Sequence, residues 1–258
     1  MNTARARFDD PVELARSIGE LARPLILVLD CDGVLAPLTD HAHNSTLTPG
    51  VGTDLALLAT NDDLTVAVLS GRSLAGLRQF NFDDQLEVWG SYGAERRGHA
   101  SVDLTHVEAS RLRSLDALLS KAVARAGDGA WIERKPTSVV VHVREADPRR
   151  GRAALDWAMQ QQRELSGHTC HVGSNVLELM TRSADKGTAL DALRTEVKAA
   201  ACVYIGDDAP DEDAFARLNG NDLSVKVGDG HTIASRRLAD PHAVRSVLGE
   251  LVTGWSQH

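Results

Sequence analysis

The chain has 258 residues, 43% of them hydrophobic, enough for one large domain or two small ones around a sizeable core. Its net charge of −8 argues against a free-standing nucleic-acid binder. Three widely spaced cysteines, Cys31, Cys170 and Cys202, make neither a disulfide framework nor a zinc site, and no apolar run is long enough for a membrane span. The opening stretch MNTARARFDDPVELA lacks the apolar centre of a signal peptide, so a cytoplasmic protein without membrane or nucleic-acid partners, and a monomer, is expected.

In chain order, the first apolar run is LILVLD (25–30), followed by a helical pattern over 49–60 and two more runs, TVAVLS (65–70) and LEVWGS (86–91). Short continuous apolar runs fit strands covered on both faces. The middle of the chain reads differently. A long helix is predicted over 105–126, then closely spaced alternating segments at 130–135 and 138–145 that fit a hairpin. A second helix over 147–165 and a second hairpin over 168–180 follow. The α/β pattern then resumes with a helix over 186–197 and the run CVYIGD (202–207). Strand–helix alternation predicts a doubly wound, mostly parallel α/β sheet. We expect a core from 1–103 and 179–258, with an inserted α+β unit over 104–178.

Four stretches carry chemistry, all at strand ends or helix starts, where open α/β sheets bind ligands. LVLDCDGVL drives a strand into Asp30, with Asp32 two residues on and Gly33 to turn the chain. One acid pair of this kind fits a turn cap equally well. VLSGRS ends a strand in Ser70, Gly71 and Arg72, where a hydroxyl and an amide can donate to phosphate. SADKGTAL starts a helix with Lys186, and YIGDDAPDEDAF sets Asp207, Asp208 and Asp211 behind a strand. Acids can simply favour a helix start. Two adjacent acids after a buried strand suit a divalent cation better, and magnesium prefers carboxylate oxygens.

The order acid pair, hydroxyl, lysine, acid cluster resembles the four motifs of the haloacid dehalogenase phosphohydrolases. GDDAPDEDAF, GSYGAE (90–95), IERKPTSVVVHVR (132–144) and VLELM followed by DKGTAL are similar to segments of the trehalose-6-phosphate phosphatases, over about residues 25 to 250. That resemblance implies a magnesium-dependent hydrolase for trehalose 6-phosphate. Asp30 would be the nucleophile that forms an aspartyl-phosphate, and Asp32 the general acid and base. Asp30, Asp207 and the Asp32 carbonyl would hold the metal. Ser70, the Gly71 amide and Lys186 would hold the phosphoryl oxygens, with Arg72 also on the substrate. Asp208 and Asp211 would orient Lys186 or metal-bound water. The inserted unit would be a cap that closes over the site, reading sugar through Glu133, Lys135, His142, Arg144 and Glu178. Glu133 with Lys135, and His142 with Arg144, are expected on shared strand faces, and Trp89, Trp131 and Trp157 are expected in cores in preference to the alternative, packing on sugar.

Val34 stands for the commoner threonine of the first motif, a change some family members share, and three further places depart from the family pattern: Tyr92 stands for a histidine, Pro210 for a threonine, and Met180–Thr181 for arginine-proline. They bear on substrate identity, so a trehalose-like pseudo-disaccharide phosphate or another sugar phosphate is the alternative substrate. A non-catalytic sugar-phosphate binder is the alternative class, which the intact Asp30, Asp32, Lys186 and Asp207 argue against.

Overall fold

A computed structural model describes residues 7–39, 44–100, 102–182 and 184–255. The first part of the chain forms α1 (Pro11–Gly19), β1 (Leu25–Leu29), α2 (Val51–Ala59), β2 (Leu64–Leu69), α3 (Leu74–Leu77), β3 (Glu87–Gly90) and β4 (Glu95–Arg96). The middle forms α4 (His106–Ala126), β5 (Trp131–Arg134), β6 (Ser138–His142), α5 (Pro148–Gln161), β7 (Thr169–Gly173) and β8 (Val176–Met180). The last part forms α6 (Lys186–Val197), β9 (Ala201–Gly206), α7 (Ala209–Phe215), β10 (Leu223–Val227), β11 (Arg236–Leu238) and α8 (Pro241–Trp255). These elements divide into two compact units, 1–99 with 185–258, and 100–184.

The first unit is built on a seven-stranded sheet in the order β11-β10-β9-β1-β2-β3-β4. Every pair is parallel except β3 with β4. β1 lies at the centre, and all five of its residues are buried. Leu25, Leu27 and Leu29 pack into one cluster with Leu14, Ile18, Leu55 and Leu248 from α1, α2 and α8. Ile26 and Val28 point the other way, to Leu190, Leu193 and Phe215 from α6 and α7. Alternation along the strand therefore supplies two apolar faces, each covered by helices, as expected for a doubly wound sheet. Parallel strands also align their carboxyl ends, so Leu29 is level with Val68 of β2 and Ile205 of β9.

The second unit is a four-stranded antiparallel sheet, β5-β6-β8-β7, with α4 and α5 on one face. Val139, Val141, Leu177 and Leu179 meet Leu115, Leu119, Ala154 and Ala158 of those helices. Thr105 and Glu108 form a capping box that starts α4, and Asp147 caps α5 ahead of Pro148. The unit extends past the expected 104–178 at both ends. β8 continues to Met180, which lies opposite Ser138 and Thr169, so an end at 178 would cut a paired strand. α5 stops at Gln161 and a single 3₁₀ turn to Glu164 completes the expected helix.

The central position of Leu179 gives a measurable expectation. Leu179→Ala removes a fully buried side chain between β8 and the helices and should cost about 2–5 kcal/mol in urea unfolding.

Candidate active site

The site in the first unit starts with the exit of β1. The Asp30 amide still bonds the Ile205 carbonyl at 3.0 Å, which holds Asp30 at the end of the strand. Its carboxylate accepts the Cys31 amide at 2.6 Å through Oδ1 and faces the Lys186 ammonium at 2.6 Å through Oδ2. Gly33 then turns the chain with φ of 74°, and a Cβ there would fall 2.0 Å from Asp207 Oδ2. Only glycine allows both the left-handed turn and that approach.

Lys186 is the first residue of α6, placed by the N-cap Asp185, whose side chain accepts the Thr188 amide. The lysine is 2% exposed, and its Nζ lies 2.7 Å from Asp211 Oδ1. Asp211 is wholly buried and also accepts the Tyr204 hydroxyl at 2.8 Å and the amides of Asp207 and Asp208 at 2.9 and 3.0 Å. Four donors meet the roughly four lone-pair sites of one carboxylate. Asp211 therefore orders the β9–α7 loop and holds Lys186. Asp208 does not reach Lys186. It is the N-cap of α7 and accepts the Ala209 amide, because the helix begins one residue after it.

Asp30, Asp207 and Asp211 bring one carboxylate oxygen each to within 4.8 Å of one another. Burial, then repulsion from Asp30 and Asp211, pushes the Asp207 carboxyl up to about 8. Burial likewise raises Asp30 to about 7, against the opposing pull of Lys186. Burial would lower the Lys186 ammonium, but Asp211 and Asp30 hold it above its ordinary value. Two neighbouring carboxylates that resist ionising together fit a divalent cation, which would relieve both effects. With Asp211 already saturated, Asp30 and Asp207 are the side chains suited to ligate it. The same loop is gripped from β10 by buried Lys226, whose ammonium donates to the Asp207 carbonyl. The sequence reading missed Lys226; its only signal was a lysine inside the apolar run LSVKV.

The Asp32 carboxylate does not join this cluster. Beyond Asp30 the extended backbone ends, and Asp32 instead accepts a bidentate Arg72 pair, Nε to Oδ2 at 2.5 Å and Nη2 to Oδ1 at 2.6 Å. Ser45 adds a hydroxyl at 3.3 Å, and Phe80 backs the guanidinium at 5.1 Å. Arg72, expected on the substrate, thus holds Asp32 in this state. Ser70 is buried at the end of β2, and its hydroxyl accepts the Arg72 amide. Ser91 and Tyr92 both take left-handed φ and aim their amides at the Arg72 and Ser70 carbonyls. This tight turn lays the Tyr92 ring on Gly71, where a Cβ would meet it at 2.7 Å. Glu95 secures the turn by accepting the Ser91 hydroxyl at 2.5 Å.

The remaining predicted residues lie in the second unit. Lys135 and Glu178 are both buried and pair at 3.1 Å, with the Ser138 hydroxyl on Glu178 at 2.5 Å. Glu133 and His142 meet at 3.1 Å. Arg144 does not share the strand face of His142. β6 ends at His142, and the chain turns through 143–146, closed by Ala146 N on the Val143 carbonyl. Trp131, expected in a core, is 45% exposed and stacks on His142. Trp89 and Trp157 pack against the apolar clusters of their own units.

The family model described as Trehalose-phosphatase matches residues 28–242. The chain belongs to the trehalose-phosphatase family. The trehalose-6-phosphate phosphatase of Escherichia coli (strain K12) is 31% identical over 244 residues, covering 92% of this chain and 90% of that one. Probable trehalose-phosphate phosphatase C of Arabidopsis thaliana is 30% identical, over 89% of this chain and 77% of its own length. The solved C-terminal domain of C. albicans trehalose-6-phosphate phosphatase matches with a TM-score of 0.81 over 98% of this chain and 99% of that one. At 20% identity, that likeness establishes the fold. The protein is accordingly a phosphomonoester hydrolase of the trehalose-phosphatase type, and none of its described helices is long and apolar enough to cross a membrane.

The raised carboxyls of this trehalose-phosphatase-type site set a sign for pH. Asp207 at about 8 and Asp30 at about 7 bind protons that the unfolded chain releases near pH 4. The metal-free folded state thus carries more bound protons between pH 4 and 8, so its stability falls as pH rises through that window. Thermal unfolding of chelated protein should show the fall, Asp207→Asn should flatten it, and a divalent cation should oppose it by binding the ionised pair.

Proposed function

We propose that the protein hydrolyses trehalose 6-phosphate to trehalose and phosphate, with magnesium as its metal and an aspartyl-phosphate on Asp30. The observation that supports this reading best is the Asp30–Lys186–Asp211 array at the carboxyl end of the sheet, with Asp207 beside it. Magnesium, bound by Asp30 and Asp207, would supply charge neutralisation between carboxylate and phosphate.

In the first half-reaction an Asp30 oxygen bonds to phosphorus as the bond from phosphorus to the sugar oxygen breaks. Asp32 gives a proton to that oxygen, and trehalose leaves. In the second, water attacks phosphorus, Asp32 takes a proton from it, and the bond to Asp30 breaks to release phosphate. General acid–base help of this kind contributes about 10²–10⁴-fold. Lys186 keeps its ammonium beside the reacting carboxylate, where it balances charge on the phosphoryl oxygens. Ser70 and the Gly71 amide donate to the same oxygens. For Asp32 to exchange its proton, the Arg72 fork must loosen, and an arriving phosphate is a competing bidentate partner for it. We assign selection of the sugar to the inserted unit.

The core test is phosphate release from a panel of sugar phosphates. Trehalose 6-phosphate should be turned over only with a divalent cation, and Asp30→Asn should abolish turnover in a folded protein. Full activity in excess chelator would remove the metal from the reading, and preference for a monosaccharide phosphate or a pseudo-disaccharide phosphate would remove trehalose 6-phosphate.

The Arg72–Asp32 pair yields a sharper expectation. Asp32→Asn should lower kcat about 10²–10⁴-fold for a sugar phosphate, whose alkoxide needs a proton. p-Nitrophenyl phosphate needs none, so formation of its covalent intermediate, seen as a burst of nitrophenol, should survive. Arg72→Ala should show the same leaving-group selectivity, and the double variant should fall little below Asp32→Asn alone. Equal losses on both substrates would place Arg72 on phosphate only.

A further inference from the structure

Asp207 differs from Asp30, the other proposed metal ligand, in how its carboxylate is aimed. Asp30 has its carboxylate fixed by the Cys31 amide and by Lys186. No described residue donates a hydrogen bond to the Asp207 carboxylate or forms an ion pair with it. Its direction therefore depends on the two peptides that flank its Cα. The first presents the Asp207 amide, which donates to Asp211 at 2.9 Å. The second has its N–H, that of Asp208, on Asp211 at 3.0 Å and its carbonyl on the Lys226 ammonium. With both planes held, the two soft dihedrals of Asp207 keep little freedom. Asp211 has further partners, since it also binds Lys186 and Tyr204. Lys226 has none: among the described residues the Asp207 carbonyl is its only hydrogen-bond partner, and no carboxylate pairs with it.

We propose that Lys226 is a positioning residue that sets the protein's affinity for its divalent cation by aiming Asp207 through the backbone. The proposal rests on the magnesium reading above. Lys226 is 5% exposed at the carboxyl end of β10, level with Gly206. Burying an ammonium costs free energy that a single neutral carbonyl offsets less well than a carboxylate would. A lysine there can also simply tie the loop to the sheet. Apolar contact would serve that end in the strand LSVKV, where methionine fills a similar volume without the charge. What methionine lacks is a donor for the Asp207 carbonyl, and a charged donor bonds roughly twice as strongly as a neutral one. Partners that orient a metal ligand are worth about 10–100-fold in metal affinity. The sign of the effect separates this role from simple electrostatics. An ammonium near a cation site repels the cation, so losing its charge would tighten binding, whereas losing the positioning weakens it.

The test is calorimetric titration of the whole, metal-stripped protein with magnesium chloride, at a temperature where each variant is folded. Lys226→Met should raise the magnesium Kd about tenfold, a loss of about 1.4 kcal/mol. Lys226→Gln keeps a donor that is uncharged and one atom shorter, and its Kd should fall between those of Lys226→Met and the wild type. With p-nitrophenyl phosphate as substrate, the magnesium concentration for half-maximal activity should rise by the same factor in Lys226→Met, while kcat at saturating magnesium stays within about threefold. A magnesium Kd in folded Lys226→Met equal to or below that of the wild type would overturn the proposal. Where Lys226→Met does not fold, an unchanged or lower Kd in Lys226→Gln overturns it in the same way. A wild type that binds no magnesium removes the metal reading itself, a result distinct from equal binding by wild type and variant.

Discussion

The arrangement of the first unit depends on one buried ammonium. Lys186 has almost no contact with water, and removing a charge from water costs several kcal/mol unless partners replace the solvent. It has two, Asp30 at 2.6 Å and Asp211 at 2.7 Å. Asp211 cannot release it without leaving a saturated hydrogen-bond set, because the same carboxylate binds Tyr204 and two loop amides. Lys186 is therefore fixed before any substrate arrives, and a donor fixed in advance costs no reorganisation when phosphate charge develops. The helix that carries it, the strand that ends at Asp30 and the loop that offers Asp207 are locked by the same contacts.

Strand order explains how so many groups converge. β10, β9, β1 and β2 are consecutive in the sheet, and each contributes at or near its carboxyl end. β10 supplies Lys226 on the Asp207 carbonyl, β9 leads into Asp207, β1 ends in Asp30 and β2 ends in Ser70. Parallel pairing keeps these ends level, and the helices that return the chain bury both faces. Gly33 and the tight turn at Ser91–Tyr92 then bring loops closer than ordinary side chains and backbone would allow. Positive φ at two consecutive non-glycine residues costs conformational energy, and it persists here because Glu95 and the 70–72 carbonyls hold the turn.

Much of this was legible in the sequence, for a physical reason. Apolar runs that end in polar residues fix both the strand and the end at which chemistry can sit, so Asp30, Ser70 and Asp207 could be placed before the fold was known. The doubly wound sheet followed from the same runs. What failed was partner choice among similar side chains. Asp208 and Asp211 differ only in helical position, yet one is a solvent-side cap and the other a buried hub. Arg72 carries an obvious phosphate signature but is turned to Asp32 by a contact 40 residues distant in sequence. Arg144 continues an alternating pattern past the point where the strand ends, and periodicity does not register a turn. Lys135 and Glu178 come together only through pairing of β6 with β8, which spacing along one strand cannot reveal.

The two acids of the first motif end in electrostatic systems of different strength, which bears on how one site could perform two steps. Asp30 and Lys186 are nearly dry, and breaking such a pair by removing one partner costs about 3–5 kcal/mol. Asp32 and Arg72 are 32% and 13% exposed, so solvent screens them and their net contribution is smaller. A substrate can therefore displace the second pair far more cheaply than the first. In the proposed reaction the group that attacks in line lies in the rigid system, and the group that exchanges a proton twice lies in the yielding one. Asp30 still belongs to the sheet through its amide, whereas the chain leaves the strand beyond it before turning at Gly33. A regular strand would have sent both carboxylates the same way. Leaving the strand after Asp30 sets the two carboxylates apart, and with them the rigid and the yielding parts of the proposed reaction.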